Sequence, residues 1–119
     1  MVRKDTLTGI GNRQALMDAL ETEYIRWQRY KHPLSLVVWD IDNFKQINDN
    51  LGHLAGDKIL IRIAEILSTS TREIDFVARF GGEEFVGIFP ATALAETMLL
   101  ANKIREEISN TRFLYDGKP

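Results

Sequence analysis

The stretch Leu34–Ile41 constrains this chain most. It is a compact apolar run, Leu-Ser-Leu-Val-Val-Trp, that ends abruptly in Asp40-Ile41-Asp42. Two adjacent valines and the bounding polar residues predict a buried strand rather than a helix. Such a strand needs neighbours, and two further stretches can supply them. Phe76–Phe80 and Phe85–Phe89 are short and rich in aromatic and branched residues, with Gly81-Gly82-Glu83-Glu84 between them. A Gly-Gly pair flanked by two such runs predicts a hairpin turn. Pro90 ends the second run.

Helical periods fill the rest. Leu16, Leu20, Tyr24 and Trp27 recur at helical spacing across Arg13–Tyr30, with Asn12 as the N-cap and His32-Pro33 as the stop. A short helix over about Asn43–Leu51 groups Phe44, Ile47 and Leu51. Gly52-His53-Leu54-Ala55-Gly56 breaks it, and Asp57 is read as the cap of the next helix, whose stripe is Leu60, Ile63, Ile66 and Leu67. Leu94, Met98 (or Thr97), Ala101, Ile104 and Ile108 mark the last helix. The order α, β, α, α, β, β, α predicts an α/β (α+β) domain, a mixed sheet flanked by helices. Residues 1–119 read as a single domain, with residues 1–4 as a linker remnant. Three strands make a thin sheet with open edges, so the domain reads as incomplete after its last helix.

Composition excludes several function classes. With 119 residues, 45% of them hydrophobic and 27% charged, the chain is too apolar for intrinsic disorder. It contains no Cys, which rules out disulfides, thiolate metal sites and Cys nucleophiles and is compatible with a reducing cytoplasm. Fifteen basic against seventeen acidic residues leave a net charge of -2, which argues against nucleic acid as a partner. The longest uninterrupted apolar stretch, Leu36–Trp39, is far too short to span a bilayer, so no direct membrane contact is expected.

The chemistry-bearing residues are acidic and sit at strand ends. Asp40 and Asp42 are two apart at the end of the apolar strand, so both side chains are expected to point to the same side. Glu83 and Glu84 occupy the hairpin turn. Carboxylates in such places are often merely solvated. If the first strand lies beside the hairpin, however, the two clusters converge, and hard oxygen ligands at a sheet rim suit Mg²⁺ together with substrate phosphates. A helix-loop-helix calcium loop starting at Asp40 fails, because its fifth and sixth positions are Phe44 and Lys45. Asn43-Phe44-Lys45 opens a helix, where free N–H groups and one Lys can cradle phosphate. Asn48 and Asp57 could together read a guanine edge; their other reading is turn-making and capping. His53 reads as a structural hydrogen-bonder before a base.

Four segments together carry a resemblance. Asp5-Thr-Leu-Thr-Gly-Ile-Gly-Asn-Arg13, Asp40-Ile-Asp-Asn-Phe-Lys-Gln-Ile-Asn-Asp49, Gly52-His-Leu-Ala-Gly-Asp57 and Arg79-Phe-Gly-Gly-Glu-Glu-Phe85 resemble the GGDEF family of diguanylate cyclases in order and spacing. The resemblance implies a nucleotidyl-cyclase-like fold and condensation of two GTP into cyclic di-GMP, with Mg²⁺ or Mn²⁺ as cofactor. It implies Asp40, the carbonyl of Ile41 and Glu83 as metal ligands, with Asp40, Glu83 and Glu84 as the catalytic carboxylates. Asn43, Phe44 and Lys45 would hold phosphates, Asn48 and Asp57 would read guanine, and Gly81 and Gly82 would let the backbone approach the nucleotide. Arg72-Glu-Ile-Asp75 resembles the family's RxxD product-inhibition site, to which Lys103 would add a basic contact.

The resemblance also implies partners. Two protomers would face each other as a homodimer, and an N-terminal sensor domain would precede the chain. The family's next strand, and its helix bearing a phosphate-binding Lys and Arg, are not found before Pro119. Either a disordered tail on a marginally stable monomer or a dimer whose chains supply strands to each other is therefore expected, with little or no turnover. Cytoplasmic localisation is expected too, the full-length protein being anchored through its sensor where it is membrane-bound. The alternative is a module that binds GTP or cyclic di-GMP without turning it over.

Overall fold

The computed structural model describes residues 3–110 of the chain. Its elements are α1 (Arg13–Tyr30), β1 (Leu34–Asp40), α2 (Phe44–Leu51), α3 (His53–Ser70), β2 (Phe76–Arg79), β3 (Glu84–Pro90) and α4 (Leu94–Asn110). The expected alternation is therefore present in the expected order. The strand-prone tail Phe113-Leu114-Tyr115 lies outside the described residues.

The three strands form one sheet in the order β1-β3-β2. Both pairings are antiparallel. The parallel component of the expected mixed sheet is, among the described residues, a single isolated bridge from Gly11 to Ala78 on the outer side of β2. β3 is central, and its residues from Phe85 to Phe89 are all buried. Two apolar clusters explain this. Phe85 packs with Leu60, Ile63, Ile66 and Leu67 of α3 and Ile104 of α4. Val86 and Ile88 join Ala78 and Leu16 on the α1 side. Burying a large apolar side chain contributes about 1.5–3 kcal/mol, so β3 and α3 hold much of the stabilising surface.

β1 corrects the expectation of a fully buried strand. Trp39 packs edge-on against Phe89 at 6.4 Å between ring centroids, but Leu36 and Val38 on the opposite face are 49% and 63% exposed. The helix stripes need correction as well. Leu16 is buried in α1, while Tyr24 and Trp27 project from its second half. In α4, Thr97 and Ile104 face inward, and Leu94 and Met98 face outward. Of the pair Met98 or Thr97 it is the threonine that is buried, with its hydroxyl satisfied by the Ala93 carbonyl at 2.9 Å. The N-cap expectation holds, since Asn12 Oδ1 accepts from the Ala15 N–H at 2.9 Å.

Arg3 and Lys4, expected in a linker, are tied into the fold. The Asn12 N–H donates to the Arg3 carbonyl at 3.1 Å, Arg3 pairs with Asp18, and Lys4 bridges to Gly11. Backbone pairing gives this short segment the partners that its composition does not advertise. The loop beyond it turns on Asp5, whose Oδ2 accepts from the Thr8 N–H and hydroxyl at 2.9 and 2.7 Å. Arg79 lies 3.4 Å away on the other side.

Partial burial pushes the Asp5 carboxyl up, but the two Thr8 hydrogen bonds and the Arg79 charge outweigh it and hold its pKa below the ordinary 3.8. A depressed carboxylate stabilises the fold above its ordinary pKa, and that contribution is lost as pH falls through the lowered value. The stability difference between wild type and Asp5→Asn in urea should therefore narrow between neutral pH and about pH 3. A constant difference would show that the carboxylate charge plays no part.

Candidate active site at the rim of the sheet

The site is built where β1 ends beside the β2–β3 turn. The register sets Asp40 opposite Glu84, and the Ile41 N–H donates to the Glu83 carbonyl at 3.3 Å. The two acidic clusters, far apart in sequence, thus share one rim. β1 ends at Asp40, so Ile41 and Asp42 lie outside the strand and the alternation rule does not extend to Asp42. Asp40 is exposed, and Glu83 and Glu84 are half-buried.

The turn is closed by the Phe80 N–H donating to the Glu84 carbonyl at 2.9 Å. Neither Gly81 nor Gly82 adopts a positive φ, so left-handed backbone is not why glycine stands there. At Gly81 a Cβ would meet Glu84 Oε1, the far end of a flexible side chain that can swing aside. At Gly82 a Cβ would meet nothing within 4 Å, which leaves that backbone open to an approaching molecule.

On the other side, Asn43 turns the chain into α2 through a left-handed conformation, φ 59°. Its side chain makes no capping bond. Helix starts leave their first N–H groups without intrahelical partners, so the opening at Asn43, Phe44 and exposed Lys45 retains donors for an anion. α2 ends at Gly52, φ 88°, and α3 begins at once. This corrects the reading of Asp57 as a cap. Only Gly52 breaks the helix, and Asp57 lies inside α3, half-buried.

Asn48 and Gly56 meet between α2 and α3. Asn48 Oδ1 is buried with no hydrogen-bond partner among the described residues. A Cβ on Gly56 would run into that same oxygen. Buried polar groups are rarely left unpaired, and here the missing side chain at Gly56 is what leaves room for the oxygen between the two helices. His53 is exposed.

The donor set at the rim is all oxygen: Asp40, Glu83 and the Ile41 carbonyl. Among the described residues no group of three or more His, Asp or Glu side chains could hold a metal ion by itself. A cation there would rely on one or two carboxylates, backbone oxygen, water and a ligand's phosphates, a set that fits Mg²⁺ and not a closed all-protein cage.

The Arg72 region is separate, ahead of β2. Arg72 Nε and Nη2 grip Asp75 at 3.1 and 2.9 Å, and Nη2 also reaches the Pro90 carbonyl and Thr92 Oγ1. Hydrogen bonding to Asp75 raises the Arg72 pKa. The Asp75 side chain is fully buried while that of Arg72 is half-exposed. Lys103 lines a shallow cavity with Thr69 and Ser70, at the end of α3 just before Arg72. The sequence reading missed Thr92, and it missed the role of Arg79, whose Nε and Nη2 donate to the Gly82 carbonyl at 3.2 and 2.9 Å. An Arg just ahead of a glycine pair was the available signal for the latter.

The family model for the diguanylate cyclase GGDEF domain matches residues 2–119. The chain belongs to the GGDEF family. This GGDEF chain is 50% identical over 115 residues to diguanylate cyclase DgcP of Pseudomonas aeruginosa, covering 97% of the chain and 17% of that protein. It is 42% identical over 109 residues to the response regulator PleD of Caulobacter vibrioides, covering 92% of the chain and 24% of PleD. The chain thus spans less than a quarter of the length of each. Among solved structures, it superposes on diguanylate cyclase SiaD of P. aeruginosa, in complex with its activator SiaC, with TM-score 0.93 and 35% identity. That match covers 97% of the chain and 44% of SiaD. The GGDEF domain of DgcB from Caulobacter crescentus, in complex with c-di-GMP, gives TM-score 0.93 at 33% identity over 98% of the chain and 68% of its own.

The contact between Asn48 and Gly56 makes a direct prediction. Gly56→Ala should force the two helices to shift and cost about 1–3 kcal/mol in chemical denaturation, the usual range for overpacking. Unchanged stability would mean that Asn48 is not confined there.

Proposed function

We propose that this GGDEF domain condenses two GTP into cyclic di-GMP, releasing pyrophosphate. The observation that carries the reading is the Ile41–Glu83 hydrogen bond, which holds two acidic clusters on one rim. In this reading Asn48 and Asp57 hold the guanine edge, each side chain supplying what the base lacks. The start of α2, with Asn43, Phe44 and Lys45, holds phosphate oxygens. The backbone at Gly81 and Gly82 lies against the nucleotide. A divalent ion, Mg²⁺ or Mn²⁺, held by Asp40, Glu83 and the Ile41 carbonyl, would supply positive charge beside the triphosphate.

Two bonds form in turn: the 3′-oxygen of each GTP joins the α-phosphorus of the other, each step breaks the bond to one pyrophosphate, and the second step closes the ring. Glu84, folded over Gly81, is the carboxylate proposed to assist the attacking hydroxyl. Because the two nucleotides react with each other, two protomers must face one another as a homodimer. The protein's work is then mostly orientation and charge placement. Arg72, Asp75 and Lys103 are proposed to bind the product, since a planar guanidinium suits both phosphate and the guanine edge. GTP as substrate puts the domain in the cytoplasm, where an upstream sensor domain would control it. The second reading, a module that binds cyclic di-GMP without turnover, is favoured by how completely Arg72 is already oriented by Asp75 and Thr92.

Turnover of GTP, followed by chromatography of the product for this chain and for one extended at its C-terminus, separates the two readings. Glu83→Gln should abolish turnover while leaving the unfolding midpoint unchanged; retained turnover would remove Glu83 from the chemistry. Asp57→Ala should weaken GTP by about 10-fold or more while ATP, already poorly held, changes little. Since Asp57 is not a helix cap, an equal loss for both nucleotides would exclude it from base recognition. Arg72→Ala should lower cyclic di-GMP affinity by calorimetry, and unchanged affinity would place the product elsewhere.

A further inference from the structure

The Gly81–Glu84 turn raises a physical problem. Glycine pairs carry the largest backbone freedom, and a Cβ at Gly82 would touch nothing, so packing does not hold that residue. Yet a carboxylate that is to share a ligand with Asp40 must be aimed. The direction of the Glu83 side chain follows the orientation of the Gly82–Glu83 peptide plane, which the Gly82 carbonyl defines.

That carbonyl is gripped. Arg79 donates to it from both Nε and Nη2. The third guanidinium nitrogen, Nη1, faces Asp5, with Oδ1 and Oδ2 at 3.5 and 3.4 Å. Both side chains are about four-fifths buried, at 20% and 19% exposure. Asp5 is itself fixed by Thr8 and by its own loop, in which the Asp5 N–H donates to the Ile10 carbonyl at 2.7 Å. The loop is laced to β2 by the Gly11 N–H to the Val77 carbonyl and the Arg79 N–H to the Gly11 carbonyl, at 3.2 and 2.9 Å. At Gly11 a Cβ would strike the Phe76 ring, so glycine permits this close lacing.

We infer that Asp5 and Arg79 are positioning residues, through which the segment entering the domain sets the orientation of the Gly82–Glu83 peptide. Neither of them has a proposed role at the nucleotide or the metal. Asp5 orients Arg79, and Arg79 orients the turn. A displacement of the entering chain at Asp5 would be felt at Glu83 without passing through the core. The inference rests on the proposed role of Glu83 for its consequence in catalysis, but not for its structural content.

Two readouts test it separately. The first is amide hydrogen exchange. In Asp5→Asn, and more strongly in Arg79→Ala, the amides of Gly82, Glu83 and Glu84 should exchange about 10-fold faster or more, while those of buried α3 and α4 residues such as Leu67 and Ile104 keep their rates. Arg79→Lys keeps the charge but not the two-pronged grip, so it should loosen the turn as Arg79→Ala does. Turn amides at wild-type rates, or faster exchange spread evenly over the domain, would overturn the inference.

The second readout is turnover. Asp5→Asn should lower kcat for GTP by about 10- to 100-fold with KM within a few-fold, as expected when a supporting partner of a reactive group is lost. The double variant Asp5→Asn/Arg79→Ala should be no worse than Arg79→Ala alone, because Asp5 acts through Arg79. Additive losses, or a rise in KM with kcat unchanged, would overturn it. Turnover is read in the chain extended at its C-terminus; its absence there would count against the cyclase reading, and the exchange experiment would still decide this inference.

Discussion

The pairing of β1 with β3 is the constraint on which the rest depends. It extends from Leu34 opposite Pro90 to Asp40 opposite Glu84. A slip of one residue would turn every side chain of β1 to the other face. Trp39 would leave Phe89, and Asp40 would no longer stand opposite the turn. The register is protected because β3 is buried on both faces and Phe85 and Phe89 fill defined space against α3, α4 and Trp39. Core packing and site geometry are therefore the same fact here. The apolar residues that stabilise β3 also bring together acidic residues that would otherwise repel.

Much of this was legible because the signals were strong and local. The valine pair in β1, the aromatic strands around Gly81-Gly82 and the stripe Leu60, Ile63, Ile66 and Leu67 each admit one periodicity. The acidic residues at the rim could be read together because strand ends and hairpin turns have few alternatives. What was less legible depended on tertiary context. A continuous apolar run does not say which of its faces is covered, so Leu36 and Val38 read as buried. Thr97 is polar by type but buried, since its hydroxyl turns back on its own helix. Asp57 looked like a cap because glycine at 56 suggests a break, whereas that glycine makes room for Asn48.

The glycines and the left-handed residues divide the labour at the site. Gly52 and Asn43 take up backbone conformations that end or begin α2 sharply, at φ 88° and 59°. Gly56 is instead needed for space, since it lies under the buried Asn48 side-chain oxygen. Gly82 serves neither purpose within the fold, and it is the residue whose carbonyl Arg79 holds. Where the chain relinquishes side-chain packing, a charged side chain supplies the restraint.

β2 gives this restraint its reach. The strand is only four residues long, with Asp75 immediately before it and Arg79 as its last residue. At about 3.3 Å per residue it separates Arg72–Asp75 from the Arg79–Gly82 clamp by roughly 13 Å. The strand is hydrogen-bonded to β3 on one side and laced to Gly11 on the other, so it cannot stretch or slide at one end alone. A ligand that pulled Arg72 away from Asp75, Thr92 and the Pro90 carbonyl would act on both strands at the open end of the hairpin, because Pro90 closes β3 as Asp75 opens β2. Coupling between two sites needs a shared element that both bias, and it is reciprocal. β2 runs directly from the one region to the other, so under the proposed reading it is the element that the two sites would share.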